Sequence, residues 1–208
     1  MYKTGFHGLM TFEAPRYSTK ELSRRTWGDF EKLFRKKSEG GGCWCIIFHR
    51  PRPLPKRQMG RLTKEQRTRR NRQDKKKLVE KGCSHGILVY SHEEPIGWCQ
   101  YGPKEELPRI DAGSTYKKLA LDSGGKRLWR ITCFWVDGRH RNRGVASAGL
   151  KAALNSISKK GGGLVEAYPA KRKEFPADWF GTLPMFEKEG FRVVAQFGKT
   201  NVLVRRTV

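Results

Sequence analysis

The sequence predicts one mixed α/β domain in which a sheet is flanked by helices. Three observations predict this fold class. Segments with the apolar spacing of helices alternate along the chain with short apolar segments typical of strands. Two pairs of strand-like segments are separated by short turns, as in β-hairpins. A basic turn that contains glycine joins one apolar strand directly to a helix rich in alanine and leucine.

The composition is that of a basic globular chain. Its 208 residues are enough for one full-sized core, and 37% of them are hydrophobic. No apolar run approaches the roughly 20 residues that span a bilayer, and the first residues lack the pattern of a signal peptide. The five cysteines are an odd number, and most lie in apolar segments. We therefore expect reduced thiols in a cytoplasmic protein that does not enter a membrane.

The net charge of +24 predicts a salt-sensitive attraction to polyanions. Much of this charge lies between Lys56 and Lys77, where eleven lysine and arginine residues face two acids. No aromatic residue occurs between Phe48 and Tyr90, so the run offers no platform for base stacking. We interpret it as a solvated basic helix that could bind polyanions weakly, and a docking face for an acidic partner is the alternative.

The N-terminal half is predicted to begin with a helix and a strand. Ser18–Glu21 has the form of a capping box and predicts a helix from Thr19 to Lys37, which ends before three glycines at 40–42. Cys43–Phe48 is apolar on both faces and predicts a buried strand. A polar helix is predicted over Thr63–Lys81.

A hairpin and a phosphate-type turn are predicted for the rest of the chain. Residues 102–126 hold prolines, glycines and acids without a clear period, so we predict mostly loop there. The predicted elements, in chain order, are hairpin strands Gly86–Tyr90 and Ile96–Tyr101, strand Leu128–Val136, a helix that begins near Gly144, strand Leu164–Tyr168, helix Leu183–Lys188, and strands Phe191–Phe197 and Val202–Arg206.

The turn Arg139–Ala146 is the most informative stretch for function. Backbone N–H groups at the start of a helix have no intrahelical acceptor, and the helix dipole adds partial positive charge there. Gly144 has no Cβ, so an anion can approach the backbone closely. The turn therefore predicts a diphosphate site at the helix N-terminus. The alternative is a basic turn that only caps a helix.

Within this turn, Arg141–Ala146 has the form R-x-x-G-x-A, which resembles the acyl-CoA pyrophosphate signature of the GNAT acetyltransferase superfamily. Three further segments resemble the superfamily in the same order: the strand Ile131–Val136, the return from Gly163 to Tyr168, and Pro184–Phe191. The resemblance covers residues 42–208, and residues 1–41 would form an N-terminal helical extension packed on the same domain. Residues 42–45 and 97–101 resemble an uncharacterised bacterial branch of this superfamily.

The resemblance implies a partly split, predominantly antiparallel sheet. It also implies an acetyl-CoA-dependent N-acetyltransferase that acylates a primary amine. In the superfamily, the strand before the phosphate turn diverges from the next strand, and its backbone pairs with the pantetheine arm. The residues that would bind the cofactor are Phe134, Trp135 and Val136 on the strand, and Arg141, Asn142, Arg143, Gly144, Val145 and Ala146 in the turn.

The catalytic groups are less well determined. Many superfamily members take a proton donor from a tyrosine in the closing helix, where this chain has Phe186. The carboxylate that some members carry on the strand before the turn is also missing. Glu166 and Tyr168 alternate to one face of the next strand, so we expect Glu166 to act as base and Tyr168 as proton donor. In the alternative, Glu166 is an ion-paired strand residue and Tyr168 a packing residue.

Two other functions remain open at this point. Phe186 would also suit a catalytically inactive acyl-CoA-binding sensor or scaffold, and the basic run would suit a ribosome-associated or nucleic-acid-associated protein. Cys43, Cys45 and His49 share a face of their predicted strand but lack the paired spacing of a structural zinc site. Cys133 lies among apolar neighbours, so we interpret it as a buried cysteine and not a nucleophile.

Overall fold

The computed structural model describes residues 17–37, 43–52, 62–171 and 179–208. Within these ranges, seven strands form one sheet in the order β1-β2-β3-β4-β5-β7-β6. All neighbours are antiparallel except β4 and β5, which are parallel. The predicted mixed, mostly antiparallel sheet is therefore confirmed. The strands are β1 Ser18–Glu21, β2 His85–Ser91, β3 Glu94–Pro103, β4 Leu128–Val136, β5 Leu164–Ala167, β6 Arg192–Phe197 and β7 Asn201–Thr207.

Six α-helices are present in the described ranges, and none of them is both long and apolar enough to cross a membrane. Short 3₁₀ helices cover Ile47–His49, Lys104–Glu106 and Gly138–His140. The α-helices are α1 Trp27–Lys37, α2 Lys64–Glu80, α3 Arg109–Ala112, α4 Ser114–Lys117, α5 Val145–Lys159 and α6 Leu183–Lys188.

Helix α5 covers one face of the sheet with the apolar stripe that its sequence predicts. Leu150, Ala153 and Ile157 are buried in the main core. The helix lies close to β3, because a Cβ on Gly97 would be only 2.4 Å from a methyl carbon of Val145. This contact positions the first turn of α5 against the sheet.

A second core lies on the opposite face, beneath α1. Phe30 and Phe34 of this helix pack against Trp44 and against the indole of Trp98 on β3, with Phe30 and Trp98 ring centroids 4.9 Å apart. Gly86 of β2 makes room for that indole, since a Cβ there would lie 2.0 Å from it. The sheet is therefore buried on both faces in its centre.

The predicted start of the first helix is wrong. Residues 18–21 form β1, which pairs along its whole length with β2, and the helix begins only at Trp27. The reciprocal cap lies five residues later than predicted: the Ser23 N–H donates to Thr26 Oγ1 at 2.8 Å, and the Thr26 N–H donates to Ser23 Oγ at 3.3 Å. Hydrogen bonds to the open edge of β2 outweigh the local helix signal.

The predicted strand Cys43–Phe48 is also wrong. Trp44 and Cys45 adopt positive φ values of 43° and 46°, and a 3₁₀ helix follows over Ile47–His49. Trp44 and Cys45 are buried against α1, Phe48 packs against Phe180, and Ile47 is exposed, so the hydrophobic run is explained without a strand. As a result, Cys43, Cys45 and His49 do not lie on one strand face.

Most other predicted elements are confirmed within a few residues, namely α2, the β2–β3 hairpin, β4, α5, β5, α6 and the final strand pair. The stretch 102–126, predicted mostly as loop, contains the helices α3 and α4. The glycines at 40–42 and residues 53–61, which include the first part of the basic run, lie outside the described residues.

Candidate functional site

The sheet is split beside the C-terminal end of β4. The strands β4 and β5 pair only from Leu128↔Leu164 to Ile131↔Ala167, after which β5 ends and β4 continues to Val136. The register with β3 changes at the same place, because Cys133 lies opposite Gln100 whereas Ile131 lies opposite Tyr101. Thr132 is thus a bulge residue, which bends the strand locally. Because β5 is short, the last part of β4 has no partner strand among the described residues on the β5 side, although β3 pairs with its other edge up to Val136.

A short return segment approaches this free edge of β4. The Phe134 N–H donates to the carbonyl of Trp179 at 2.6 Å, and Ala170 forms an isolated bridge with Thr182. The Phe134 ring is buried and packs edge-on against Phe186 at 5.9 Å. The backbone donor expected to pair with a pantetheine arm is therefore used within the chain in this structure.

The turn after β4 is held in place by Asp137. Its N–H donates to the carbonyl of Ile96 on β3 at 2.9 Å, and its buried carboxylate accepts from the Arg139 N–H at 3.1 Å and the Arg139 guanidinium at 3.0 Å. At the other end, the Tyr17 hydroxyl donates to the Arg143 carbonyl at 2.8 Å. These bonds fix both ends of the turn on the sheet.

The backbone of the turn has the shape that binds anions. Asn142 and Gly144 both have left-handed conformations, with φ values of 57° and 82°, on either side of Arg143. Alternation of this kind directs successive N–H groups toward one concave surface. Among the described residues, no acceptor bonds to the N–H groups of 141–147, and the first bond at the start of α5 runs from the Ala148 N–H to the Gly144 carbonyl.

This concave surface is open to a ligand. No atom lies within 4 Å of the position that a Cβ on Gly144 would take, and residues 141–144 are exposed. Two arginines, Arg141 and Arg143, add positive charge to the dipole of α5. The residues predicted for the pyrophosphate thus lie together, and a diphosphate fits the donors that they present.

Glu166 lies at the centre of a buried ion-pair network across three strands. It pairs in register with Arg130 of β4 and Arg205 of β7. Its Oε1 accepts from Arg205 Nε at 2.9 Å and Nη2 at 2.6 Å. Its Oε2 accepts from the hydroxyls of Tyr116 at 2.9 Å and Tyr168 at 3.0 Å. The exposed fractions of Glu166, Arg130 and Tyr168 are all 0%, so the centre of this network is closed to solvent, whereas Asp111 and Arg205 at its margin are partly exposed.

Arg130 connects the network to the segment after β3. Its guanidinium donates to both carboxylate oxygens of Asp111, at 2.5 and 2.8 Å, and to the Leu107 carbonyl at 3.2 Å. Burial acts to lower the pKa of Arg130, but the hydrogen bonds and charges of Asp111, Tyr168 and Tyr116 together outweigh it and raise that pKa. Burial likewise raises the pKa of Tyr168 well above its usual value. Both side chains are therefore protonated at neutral pH.

Glu166 of β5 and Tyr168, one residue beyond its end, do lie on one side of the chain, as their spacing predicts, and their side chains are hydrogen-bonded. Glu166 is also ion-paired, as the alternative interpretation expects, and the proton-transfer roles of both residues stay predictions. The strand sequences carry a partial signal for this network, since charged residues inside otherwise apolar strands need partners. Asp111, Tyr116 and Arg205 come from distant segments, so their part in it could not be predicted.

A split sheet that opens beside an anion-binding helix N-terminus is the architecture of an acyltransferase that uses a diphosphate-containing acyl donor. A profile of the acetyltransferase (GNAT) family matches residues 47–174, well over half of the chain. The chain therefore belongs to the GNAT acetyltransferase family. No curated protein matches the sequence significantly.

Several solved structures share this fold. One is a ribosomal-protein-S5-alanine acetyltransferase from Vibrio fischeri, with 11% identity, a TM-score of 0.51 and coverage of 94% of each chain. Another is the PaiA N-acetyltransferase from Thermoplasma acidophilum in complex with coenzyme A, with 10% identity, a TM-score of 0.51, and coverage of 93% of this chain and 99% of that one. An acetyltransferase from Thermus thermophilus has 13% identity, a TM-score of 0.50, and coverage of 94% of this chain and 99% of that one.

Proposed function

We propose that the protein is an acetyl-CoA-dependent N-acetyltransferase that transfers the acetyl group directly to a primary amine. The observation that carries the proposal is the turn at the start of α5, where left-handed residues direct unpaired N–H groups into open space. Membership of the GNAT family and the coenzyme A complex of one structural relative support it.

In this proposal the backbone N–H groups of residues 141–146 bind the pyrophosphate, and the side chains of Arg141 and Arg143 add charge-assisted contacts. Residues Phe134, Trp135 and Val136 hold the pantetheine arm along the free edge of β4. Since the Phe134 N–H is bonded to the Trp179 carbonyl, binding of the arm at that donor requires the return segment to give up this bond.

The acyl donor supplies an activated thioester, and the protein supplies position and proton handling. Proximity of a held amine and a held thioester accounts for much of the rate. Glu166 is proposed as the base and Tyr168 as the donor. Since both are fully buried, either role requires the network to open toward the acceptor. A Tyr168→Phe variant that keeps wild-type kcat would remove the tyrosine from this assignment.

The central experiment compares two glycine variants in a calorimetric titration with acetyl-CoA. Gly144→Glu places a side chain and a negative charge on the concave surface, so we expect binding to be lost. Gly198→Glu is a matched control in the β6–β7 turn: its φ is 73° and nothing lies within 4 Å of its Cβ position. Equal affinity for both variants would refute the pyrophosphate site.

The enzymatic part of the proposal is tested separately by mass spectrometry. The protein is incubated with acetyl-CoA and a library of primary amines that includes peptide N-termini, lysine, polyamines and aminoglycosides. We expect one class to be acetylated by the wild type and by Gly198→Glu. Tight cofactor binding without transfer to any amine would instead support the sensor or scaffold.

A further inference from the structure

A second buried polar cluster lies on the sheet face beneath α1 and α2, apart from the network around Glu166. It contains Cys45, His49, Lys75, Gln100 and Cys133. The sulfur atoms of Cys45 and Cys133 are 3.2 Å apart, although 88 residues separate them in sequence. Neither cysteine forms a disulfide within the described part of the chain, and their exposed fractions are 0% and 2%. Two thiols in contact are therefore enclosed inside the protein.

The backbones of both cysteines are fixed by the same neighbour. Gln100 Nε2 donates to the Cys45 carbonyl at 2.9 Å, and Gln100 is also the β3 partner of Cys133. Lys75 Nζ donates to the same Cys45 carbonyl at 3.3 Å. The sulfur contact thus joins two segments whose backbones are held in place, namely the 44–45 turn and the bulged part of β4.

Lys75 brings a positive charge to this pair. It is fully buried, its Nζ lies 3.1 Å from His49 Nε2, and it sits over the Trp98 ring at 5.4 Å. Burial lowers the pKa of Lys75 to about 8, and the nearby sulfurs of Cys45, Cys133 and Cys43 partly oppose this effect. At neutral pH the group is an ammonium, which favours negative charge on an adjacent sulfur.

His49 does not supply a second charge. Its Nε2 lies within hydrogen-bonding distance of the donors of Lys75, Ser84 and Gln100. Burial lowers the pKa of His49 well below its usual value, so the ring is neutral. Among the described residues of this cluster, Lys75 therefore supplies the positive charge beside the two thiols.

We propose that Cys45 and Cys133 form a redox modification site that closes to an intramolecular disulfide with hydrogen peroxide. One thiol, as its thiolate, attacks a peroxide oxygen to give a sulfenic acid, and the displaced hydroxide takes up the thiol proton as water. The second thiol then attacks the sulfenic sulfur and releases a second water. In total, the two thiols lose two protons and two electrons, and one peroxide is reduced to two waters.

The depth of the pair selects a small oxidant. Neither sulfur is exposed enough to react with a bulky disulfide such as oxidised glutathione. Hydrogen peroxide is close to water in size and can reach a buried thiol more easily. The other cysteines provide contrasts. Cys99 is buried in the main core, where burial raises its pKa well above the usual value, and Cys83 is exposed.

The test maps disulfides in the native, full-length protein that carries Cys83→Ser to remove the exposed thiol. After peroxide treatment at neutral pH, free thiols are blocked, and non-reduced peptides are identified by mass spectrometry. We expect a peptide pair linked through Cys45 and Cys133, with Cys99 still blocked as a thiol. Recovery of both cysteines as blocked thiols, or as sulfinic acids without a link, would overturn the proposal.

Two variants test the order of the steps and the role of the charge. In Cys45→Ser the reaction should stop at a sulfenic acid on Cys133, which dimedone traps. Lys75→Met keeps a similar unbranched stem without its charge and should slow disulfide formation by about tenfold, because the thiolate loses a neighbouring positive charge. An unchanged rate in a variant with native circular dichroism would exclude the ammonium from the reaction.

Discussion

Glu166 compensates the charge of the buried Arg130 and of the half-buried Arg205. Arg130 and Arg205 contact it from the neighbouring strands, and the side chain of Arg130 is fully buried. We predict that Glu166→Gln lowers the free energy of unfolding by about 3–5 kcal/mol, because it leaves buried charge without its partner. Urea denaturation measures this change. Glu93→Gln, at an exposed position in the β2–β3 turn, should stay within about 0.5 kcal/mol of the wild type, and a similar effect of both variants would contradict the prediction.

His49 makes the stability depend on pH between about 5 and 7. Burial, with the Lys75 charge second, lowers its pKa well below the usual 6.5, so the folded protein keeps the ring neutral. The unfolded chain takes up this proton as the pH falls through about 6.5. It then binds more protons than the folded state, so acidification lowers stability by about 1.4 kcal/mol per pH unit.

Denaturation midpoints measured from pH 7 down to pH 5 test this dependence. His49→Gln keeps an acceptor for the donors around it and should flatten the slope. His92→Asn replaces an exposed histidine at a φ of 54° that asparagine tolerates, and it should keep the wild-type slope. Equal slopes in His49→Gln and the wild type would place the proton uptake elsewhere.

At the scale of elements, prediction from sequence succeeded where local signals and tertiary contacts agree. Helix α5 has an apolar stripe, a preceding left-handed glycine and a sheet to cover, so its prediction is confirmed. The turn that joins β4 to α5 was predictable for the same reason, because its shape depends on adjacent residues, and its binding of an anion stays a prediction. The predictions for residues 18–21 and 43–48 were wrong because tertiary contacts determine these two structures. Residues 18–21 pair with the edge of β2, and Trp44 and Cys45 pack among the aromatic side chains under α1.

The contact of Gly97 with Val145 controls how closely α5 approaches the sheet. We predict that Gly97→Ala costs about 1–3 kcal/mol of stability, since its Cβ would lie 2.4 Å from a buried methyl group. Val145→Ala alone should also destabilise, through the loss of buried methyl groups. The loss of stability in the double variant should be smaller than the sum of the two single losses by at least about 1 kcal/mol. The reason is that Val145→Ala removes the methyl group with which the new Cβ would clash.

Chemical denaturation of the four proteins gives this coupling energy. Gly28→Ala, in α1 with nothing within 4 Å of its Cβ position, serves as a control and should be neutral or stabilising. Additive effects of Gly97→Ala and Val145→Ala would mean that the helix is not positioned by this contact.

At the scale of the whole molecule, the net charge of +24 is partly concentrated on one side of the sheet. The ion pair between Glu31 and Arg72 joins α1 to α2. Both helices expose basic side chains to solvent, namely Lys32 and Arg35 on α1 and Lys64, Arg69, Lys76 and Lys77 on α2. No aromatic side chain belongs to α2, so the surface can contact phosphates but cannot stack bases.

We therefore predict polyanion binding that ignores sequence and weakens steeply with salt. The logarithm of the association constant for a duplex RNA should fall linearly with the logarithm of the salt concentration. The variant Arg69→Glu/Lys76→Glu/Lys77→Glu should weaken binding and reduce that slope by about one for each phosphate that the surface no longer neutralises. Its affinity for acetyl-CoA should remain intact, because the anion-binding turn lies on other elements. Lys117→Glu/Lys118→Glu/Lys199→Glu changes the net charge equally at exposed positions elsewhere. If that control lowers the slope as much, net charge and not the surface of α2 determines the binding.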